Sequence, residues 1–313
     1  MNLLICGHGS DRVCTSLRQK WCADHDEIRF LDLDWLDRGY RFDCHSLGQE
    51  DVGSIEAPDW RVNLCDISAV FLRFLGVDQA ISKGPRPVSA KASLESAYSF
   101  WMELLEGLEC PIVNRLSASS SNHSKPYQLQ QMKAIGFLVP ETLITNDVEL
   151  TEAFCAQQAG PVVFKSVSGA RARTQVLNRR NHRRLRLLPN CPTQFQPLIS
   201  GCDARVHVIG NQCFGLRIES SELDYRYEQK DLVRIETCAV PAPIQNHCRQ
   251  ITHIFGLHLS GIDFRVTEQG EWYGLEVNPA PAFTNYELLT GQPLAAAVLD
   301  LLYQLSSGVT PTF

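Results

Sequence analysis

The first third of the chain alternates short apolar runs with amphipathic segments, which is the pattern of an α/β unit. The opening run LLIC and a second run over residues 69–76 each predict a buried strand, because short continuous apolar runs suit full burial in a sheet. Other segments carry apolar side chains at the 3.6-residue spacing of a helix. Strands are expected at 3–6, 28–33, 69–76 and 111–114, helices at 13–23 and 93–108, and a hairpin with loops at 36–60.

The pattern changes after residue 115. The polar segment SASSSNHS leads into a helix that is expected to begin with Ser124 as its cap and to stop at Gly136. A strand in FLVPETLITN, a short helix in TEAFCAQQAG and a strand ending at Lys165 follow. These elements predict a small α+β unit over residues 116–190.

From residue 191 the chain alternates strands and turns, with two amphipathic helices. QFQPLI, DARVHVIG and CFGLRIES predict strands, and GIDFRVTEQGEWYGLEVN predicts a hairpin. PIQNHCRQITHIFGL and PLAAAVLDLLYQL predict helices. The expected organisation is three units, 1–115, 116–190 and 191–313, of which the last is built on an antiparallel sheet.

The hairpin at residues 261–278 is expected to gather oxygen-bearing side chains on one face. Period-two alternation places Asp263 and Arg265 opposite the apolar side chains of the first arm. If the hairpin is symmetric about Gln269 and Gly270, Asp263 lies directly opposite Glu276. Asn278 then follows Glu276 on the same face.

The second arm of the hairpin is expected to alternate in the same way. Tyr273, Leu275 and Val277 would share the apolar face. Trp272 would lie on the opposite face, together with Glu276. This assignment depends on uninterrupted alternation along the whole arm.

Two opposed carboxylates repel each other unless positive charge lies between them, because their side chains are only about 5 Å apart. One explanation is a solvated polar face with Arg265 as the counter-ion. The other is that Asp263, Glu276 and Asn278 supply hard oxygen ligands for Mg²⁺, which favours carboxylates shared with substrate phosphates. From these residues alone, both explanations stay open.

Two lysines upstream occupy positions suited to an anion. Lys125 lies in the first turn of a predicted helix, where the helix dipole disfavours a cation unless an anion lies between them. Lys165 ends a strand before a loop of small residues, including Ser168 and Gly169, whose backbone N–H groups can approach phosphate oxygens. A solvated surface lysine is the competing explanation for Lys125, and the P-loop motif GxxxxGK[ST] is absent.

Arginines mark two further positions. Arg73 interrupts the apolar run at 69–76, either because it pairs with a nearby acid or because it binds a carboxylate or phosphate of the substrate. Residues 171–186 contain seven arginines. They form either a solvated hairpin face or a surface that receives an acidic peptide or phosphates.

Composition narrows the choice of partners. The chain has 313 residues and a net charge of −6, which argues against general binding to nucleic acid. No apolar run approaches the roughly 20 residues that span a bilayer, and the opening run is too short for a signal peptide. The 12 cysteines are scattered without a C-x-x-C pair, as expected for reduced thiols in a cytoplasmic protein.

The order of these features resembles the ATP-grasp superfamily over about residues 110–305. A lysine at a helix start is followed by a lysine before a small-residue loop, then GCDAR, GIDFR and EVNP. Within the superfamily the chain is similar to RimK-type ligases and, more narrowly, to the graspetide synthetases that macrocyclise ribosomal peptides. The narrower likeness is carried by KPYQLQQMKAIGFLVPETLITN, VVFKSVSGARA, PTQFQPLISGCDARVHVIG, ELDYRY, GIDFR and NPAPAFTNYELLTGQPLAAAVLDLL.

The resemblance implies an ATP-grasp fold of mixed α/β and α+β class, and specific roles for residues of this chain. The fold would combine an N-terminal α/β (pre-ATP-grasp) domain, a central α+β lid and a C-terminal α+β domain with an antiparallel sheet. The residues implied to bind ATP are Lys125, Lys165, Ser168, Gly169, Gln196, Leu198, Ile199, Asp203 and Arg226. Those implied to hold Mg²⁺, with Mn²⁺ as a substitute, are Asp263, Glu276 and Asn278. Arg265 and Arg226 would act in catalysis, and Arg73 and Arg205 would contact the substrate.

The activity implied by the resemblance is ADP-forming ligation of a carboxylate to an amine or hydroxyl through an acyl phosphate. The substrate would be a peptide, or else a free amino acid or small peptide. Two further activities fit the same motifs, that of a phosphotransferase and that of a non-catalytic ATP-binding protein. The resemblance also suggests a homodimer. Pro197 departs from the acidic residue that many relatives carry there, which leaves backbone contacts to the adenine.

Overall fold

The structure is a computed structural model and describes residues 2–21, 28–44, 53–74, 88–167, 173–223 and 233–308. Its strands in these ranges are β1 Asn2–Gly7, β2 Ile28–Asp32, β3 Arg41–Cys44, β4 Gly53–Glu56, β5 Arg61–Asn63, β6 Ile67–Leu72, β7 Ile112–Val113, β8 Leu143–Thr145, β9 Val162–Ser166, β10 Gln175–Val176, β11 Thr193–Pro197, β12 Cys202–Ile209, β13 Gln212–Glu219, β14 Arg234–Thr237, β15 Leu259–Val266 and β16 Trp272–Asn278. The α-helices are α1 Arg12–Trp21, α2 Val88–Gly107, α3 Leu116–Ser119, α4 Lys125–Ala134, α5 Val148–Gln157, α6 Arg179–His182, α7 Ala242–Ile254, α8 Thr284–Thr290 and α9 Leu294–Ser306. Within the described ranges, no helix combines the length and the apolar character needed to cross a membrane.

The N-terminal unit is built on a parallel sheet with strand order β2-β1-β6-β7. Its strands are apolar because both faces of the sheet are covered. One face packs against α2 and the small antiparallel sheet β3-β4-β5, with Leu4, Ile55 and Tyr98 in the shared core. The predicted α/β organisation of this part of the chain is therefore confirmed.

The last helix, α9, covers the other face of the parallel sheet. Leu294, Val298 and Leu302 of α9 lie in one buried cluster with Ile5 and Phe71 of the sheet. An amphipathic helix at the end of the chain thus completes the core of the first unit. The predicted division of the chain at residues 115 and 190 assigns α9 to the last unit, whereas in the structure α9 packs against the sheet of the first unit.

A second sheet, with strand order β10-β9-β11-β8, forms the central unit. Its core contains Val162 and Phe195, which pack against Phe154 of α5. The predicted boundary at residue 190 falls too early for this sheet, because β11 lies between β9 and β8. Helix α4, expected in the same unit, instead packs through Met132 onto the C-terminal sheet.

The C-terminal sheet is antiparallel, with strand order β14-β13-β12-β15-β16. One of its faces is apolar and packs on α7, with Val206, Ile262 and Phe264 against Cys248 and Ile251. The period-two alternation of these strands leaves polar side chains on the other face. The predicted antiparallel α+β architecture is confirmed, and its polar face holds the candidate site.

A β-bulge interrupts the β15–β16 hairpin. Asp263 pairs with Glu276 as predicted, and the register shifts directly after this pair, so that Leu275 is the extra residue. Trp272 consequently lies in the core against Phe264, with ring centroids 5.2 Å apart. The prediction that Trp272 shares the face of Glu276 is therefore wrong.

The bulge places Gly274 opposite Phe264, on the face that packs against α4. A Cβ at this position would lie 2.2 Å from the Cε atom of Met132 in α4. The Gly274 N–H also donates to the carbonyl of Leu138, at 2.8 Å. The segment around α4 therefore approaches the hairpin so closely that β16 has no room for a side chain here.

Candidate active site

The polar face of the C-terminal sheet carries acidic and basic side chains in alternation. Arg205 of β12 lies opposite Asp263 of β15. Two positions along the same strands, Asp203 lies opposite Arg265. Asp263 in turn lies opposite Glu276 of β16. Directly opposed side chains of unlike charge attract each other across a sheet, so this pattern orders the face.

The arginines of this face are ion-paired with its aspartates. Arg205 Nη1 lies 2.7 Å from Asp263 Oδ1, and Arg265 Nη1 lies 2.9 Å from Asp203 Oδ1. Arg265 therefore donates to Asp203 and not to the opposed acidic pair. The explanation in which Arg265 is the counter-ion of Asp263 and Glu276 is wrong.

Lys125 supplies the cation for Glu276. Its Nζ lies 3.4 Å from Glu276 Oε2, and the lysine is only 8% exposed, so it is not a solvated surface lysine. Gln128, one turn further along α4, fixes the helix to β16 by donating to the Val277 carbonyl and accepting from its N–H. Ser124 occupies the N-cap position of α4 but its side chain makes no capping hydrogen bond, contrary to the prediction.

Three residues around Arg205 were not predicted as site residues. Gly261 leaves room for the guanidinium, since a Cβ there would lie 2.4 Å from Arg205 Nη2. His207 Nε2 accepts from Arg205 Nε at 3.2 Å, and the ring of Tyr286 lies 5.6 Å from Arg205 Cζ. Alternation along β12 does predict that His207 shares the face of Asp203 and Arg205, but it assigns the histidine no role. Nothing local in the sequence indicates Gly261 or Tyr286.

His207 binds a proton less readily in the folded chain than an ordinary histidine does. Burial, and then the neighbouring Arg205 guanidinium, lower the pKa of His207 well below its usual range. Because the unfolded chain binds a proton at a pH where folded His207 does not, acid favours unfolding.

We expect the free energy of unfolding to fall as the pH is lowered below about 6.5, the ordinary histidine pKa. His207 alone would contribute a slope that approaches roughly 1.4 kcal/mol per pH unit. His207→Gln should remove this part of the slope, while His258, whose pKa is lowered by burial and by Arg115 and His253, keeps its own contribution. Urea unfolding between about pH 5 and pH 8 measures this slope for the wild type and for His207→Gln. Equal slopes for the two proteins would contradict the lowered pKa of His207.

The segment predicted to hold the adenine links the central and C-terminal sheets. Gln196 Nε2 donates to Thr142 Oγ1 at 2.9 Å, and the Leu198 N–H donates to the Pro161 carbonyl at 2.8 Å. The carbonyl of Ile199 accepts from Arg265 Nε at 3.1 Å. Arg265 therefore ties this linker to the polar face through the same guanidinium that binds Asp203.

Lys165 lies on β9 of the central sheet, opposite Gln194 of β11. Gln196 lies two residues from Gln194, so the three side chains share the face of this sheet that is turned away from Phe195 and its core. Gln194 is 1% exposed, and neither polar atom of its side chain has a hydrogen-bond partner in the described part of the chain. The predicted ATP-binding residues Ser168, Gly169 and Arg226 lie outside the described residues.

Asp263, Glu276 and Asn278 have the donor chemistry that a hard divalent cation requires. The two carboxylates face each other across neighbouring strands, and Asn278 Oδ1 accepts from the Ala280 N–H at 2.9 Å. Their cationic partners supply the positive charge that a bound metal ion would bring. Among the described residues, no group of three or more His, Cys, Asp and Glu side chains could hold a metal, so this set depends on the Asn278 amide.

Arg73 follows β6 and is 4% exposed. Its Nε donates to Asp11 Oδ2 at 3.3 Å, and its Nη1 donates to the carbonyls of Ala280 and Pro281. The explanation in which Arg73 pairs with a nearby acid is therefore confirmed, and the guanidinium is already engaged by protein groups.

Residues 120–302, more than half of the chain, match the model of the RimK-like ATP-grasp domain. N-acetylaspartylglutamate synthase A of Mus musculus is 25% identical over 215 residues, which cover 64% of this chain and 56% of that protein. β-Citrylglutamate synthase B of Danio rerio is 24% identical over 212 residues, with 64% and 52% covered. The chain thus spans about half the length of the curated relatives it matches.

Solved structures resemble the chain over almost its whole length. The macrocyclase MdnC bound with precursor peptide MdnA, from Microcystis aeruginosa MRC, has a TM-score of 0.82 at 24% identity, covering 96% of this chain and 99% of MdnC. The ATP-grasp ligase PsnB complexed with a minimal precursor has a TM-score of 0.81 at 25% identity, covering 97% and 99%. The matches to the family model and curated proteins agree with the order of motifs in the sequence. The matches to solved structures agree with the fold described above. The chain belongs to the RimK-like ATP-grasp family.

Proposed function

We propose that the chain is an ATP-dependent, ADP-forming ligase that joins a carboxylate to an amine or hydroxyl on a peptide substrate. One observation carries the proposal. In a chain of this family, Asp263 and Glu276 face each other on the sheet and are each matched by a cation, Arg205 or Lys125. Such a face provides charge neutralisation and positioning, which is most of what phosphoryl transfer needs.

ATP would lie between the central sheet and the polar face of the C-terminal sheet. Lys165 would contact the phosphates from one side and Lys125 from the other. The linker from Gln196 to Ile199 would hold the adenine, and Asp203 the nucleoside. Bound Mg²⁺, or Mn²⁺ in its place, would be held by the two carboxylates and the Asn278 amide, and would neutralise charge on the phosphate oxygens.

The ion pairs of the polar face suggest how its cations become available. Lys125 and Arg205 are engaged by Glu276 and Asp263. With Mg²⁺ bound to those carboxylates, Lys125 would be free to contact a phosphate and Arg205 would be free to contact the substrate carboxylate. Arg265 stays paired with Asp203 and keeps the linker in place.

The reaction conserves atoms and charge without a covalent enzyme intermediate. The substrate carboxylate attacks the γ-phosphorus of ATP and forms an acyl phosphate, with ADP as the leaving group. An amine or hydroxyl then attacks the acyl carbon, the bond from that carbon to the phosphate oxygen breaks, and the attacking group loses its proton. The sum is one new amide or ester, ADP and phosphate.

A peptide substrate is supported by likeness and by surface charge. Several structures that resemble the chain are described with precursor peptides. On the central unit, Arg184 lines an apolar pocket with Leu177, Leu185 and Leu188. It is one of five exposed arginines between residues 179 and 186 that form no ion pair with another described residue. These arginines are Arg179, Arg180, Arg183, Arg184 and Arg186. Their charge suits an acidic peptide.

A ligase for free amino acids is the second candidate. It is favoured by the similarity to N-acetylaspartylglutamate synthase A and β-citrylglutamate synthase B. The two candidates share the acyl-phosphate chemistry and differ in the size of the acceptor.

Mass spectrometry of the products distinguishes these functions. The chain is incubated with Mg-ATP and either acidic peptides that contain lysine, serine and threonine, or free amino acids. We expect a peptide lighter by one water together with ADP and phosphate, and no product when EDTA removes the metal. A phosphorylated substrate would indicate a phosphotransferase, and nucleotide binding without ADP formation would overturn the enzymatic assignment.

A further inference from the structure

Two side chains of the N-terminal sheet hold the loop that follows Asn278. Asn114 lies directly after β7, and Arg73 lies directly after β6, at the carboxyl ends of two neighbouring parallel strands. Asn114 Nδ2 donates to the Pro279 carbonyl at 2.6 Å. Arg73 Nη1 donates to the Ala280 carbonyl and, at 3.3 Å, to the Pro281 carbonyl. Three consecutive carbonyls are thus bound from another unit of the fold.

Neither side chain is a loose surface contact. Arg73 and Asn114 are each 4% exposed. Asp11 holds the Arg73 guanidinium. Asn114 makes further hydrogen bonds to Leu259, donating to its carbonyl and accepting from its N–H. Asn114 therefore joins the start of β15 to the end of β16, the two strands that carry the acidic pair.

The geometry connects these contacts to the proposed metal ligand. The Pro279 carbonyl and the Ala280 N–H belong to the same peptide unit, which is planar and rigid. The carbonyl accepts from Asn114, and the N–H donates to Asn278 Oδ1 at 2.9 Å. Fixing one edge of this peptide plane fixes the hydrogen bond at its other edge.

The two prolines make the loop dependent on such partners. Pro279 and Pro281 have no N–H, so the loop can form few backbone hydrogen bonds of its own. Buried carbonyls need donors. Arg73 and Asn114 supply these donors from outside the loop.

We propose that Arg73 and Asn114 are positioning residues for Asn278, so that the N-terminal unit takes part in forming the metal–nucleotide site. The inference rests on the proposed function, because it assumes that Asn278 is a metal ligand. It gives Arg73 a different role from the substrate contact that the sequence suggested. A side chain that orients a metal ligand typically changes metal affinity when it is altered, although it never touches the metal.

The test compares the affinity for the ATP analogue AMPPNP with and without Mg²⁺. Arg73→Lys keeps the charge beside Asp11 but loses the forked donors, and Asn114→Asp keeps the shape and the acceptor but loses both N–H donors. We expect each variant to weaken Mg²⁺-dependent AMPPNP binding about 10- to 100-fold. Binding measured in EDTA should stay within about 2-fold of the wild type, because the adenine and phosphate contacts of the protein are untouched.

A matched control separates positioning from general contact between the units. Lys20 of α1 and Glu287 of α8 also form an ion pair between the N-terminal and C-terminal parts, and both lie on helices outside the loop. Lys20→Met should therefore leave the Mg²⁺ dependence unchanged. Thermal unfolding without ligand checks that the variants are folded.

The outcomes separate this inference from the proposed function. Wild-type Mg²⁺ dependence in Arg73→Lys and Asn114→Asp would overturn the inference alone. Equal losses with and without Mg²⁺ would also overturn it, because they indicate general damage to the packing. If the wild-type chain showed no Mg²⁺-dependent AMPPNP binding, the proposed function itself would fail and the inference with it.

Discussion

Glu276→Gln should lower the rate of ADP formation by about 100- to 1000-fold, the loss that follows removal of one electrostatic group acting directly on developing charge. Glutamine keeps the size of the side chain and one oxygen but removes the negative charge. A divalent cation then loses one of two carboxylates, and Lys125 loses the partner that lies 3.4 Å away. Both changes weaken the positioning of the phosphates.

The measurement is steady-state ADP release with saturating Mg-ATP and the substrate found by mass spectrometry. Glu271→Gln is the matched control, because Glu271 is an exposed acid next to the same hairpin. Glu271→Gln should keep wild-type turnover. Full turnover of Glu276→Gln in a folded protein would remove Glu276 from the metal site and with it the basis of the proposed function.

The parts of the site that depend on local spacing could be predicted from the sequence. The predicted pairing of Asp263 with Glu276 is confirmed. The hairpin closes about Gln269 alone, since the Thr267 N–H donates to the Glu271 carbonyl, and the bulge at Leu275 restores the predicted register. The first-turn position of Lys125 indicated an anionic partner. That partner is Glu276 in the structure, and phosphate stays a prediction.

The contacts that tie the units together could not be predicted in this way. Arg73 and Ala280 are 207 positions apart in the sequence, and Asn114 and Pro279 are 165 apart. Side-chain periodicity reports which face of an element is buried but not which distant element covers it. For the same reason, the apolar stripe of α9 predicted a helix but not its place on the parallel sheet of the first unit.

The bulge in β16 shows how one close contact between elements overrides a local pattern. Uninterrupted alternation would bury Tyr273 and expose Trp272. Met132 of α4 lies where a side chain of residue 274 would be, and the extra residue in β16 brings a glycine to this position. The predicted faces of the second arm are therefore correct from Glu276 onward, and they are exchanged for Trp272 and Tyr273 on the other side of the bulge.

Trp272→Ala should therefore lower the free energy of unfolding by about 3–5 kcal/mol, the usual cost of truncating a buried large aromatic side chain. Trp272 is 8% exposed and packs edge-on against Phe264, at an interplanar angle of 73°. Tyr273→Ala is the matched control, because Tyr273 is only partly buried and its loss should cost roughly 1 kcal/mol. Urea unfolding of the two variants gives both values.

Which of the two substitutions lowers the free energy of unfolding more tests the register directly. With the bulge, the tryptophan is the core residue and its truncation leaves a cavity beside Phe264. Without the bulge, the faces of Trp272 and Tyr273 exchange, and Tyr273→Ala would be the more destabilising change. A larger loss for Tyr273→Ala would mean that the second arm alternates without interruption, and the close approach of α4 to Gly274 would have to be abandoned with the bulge.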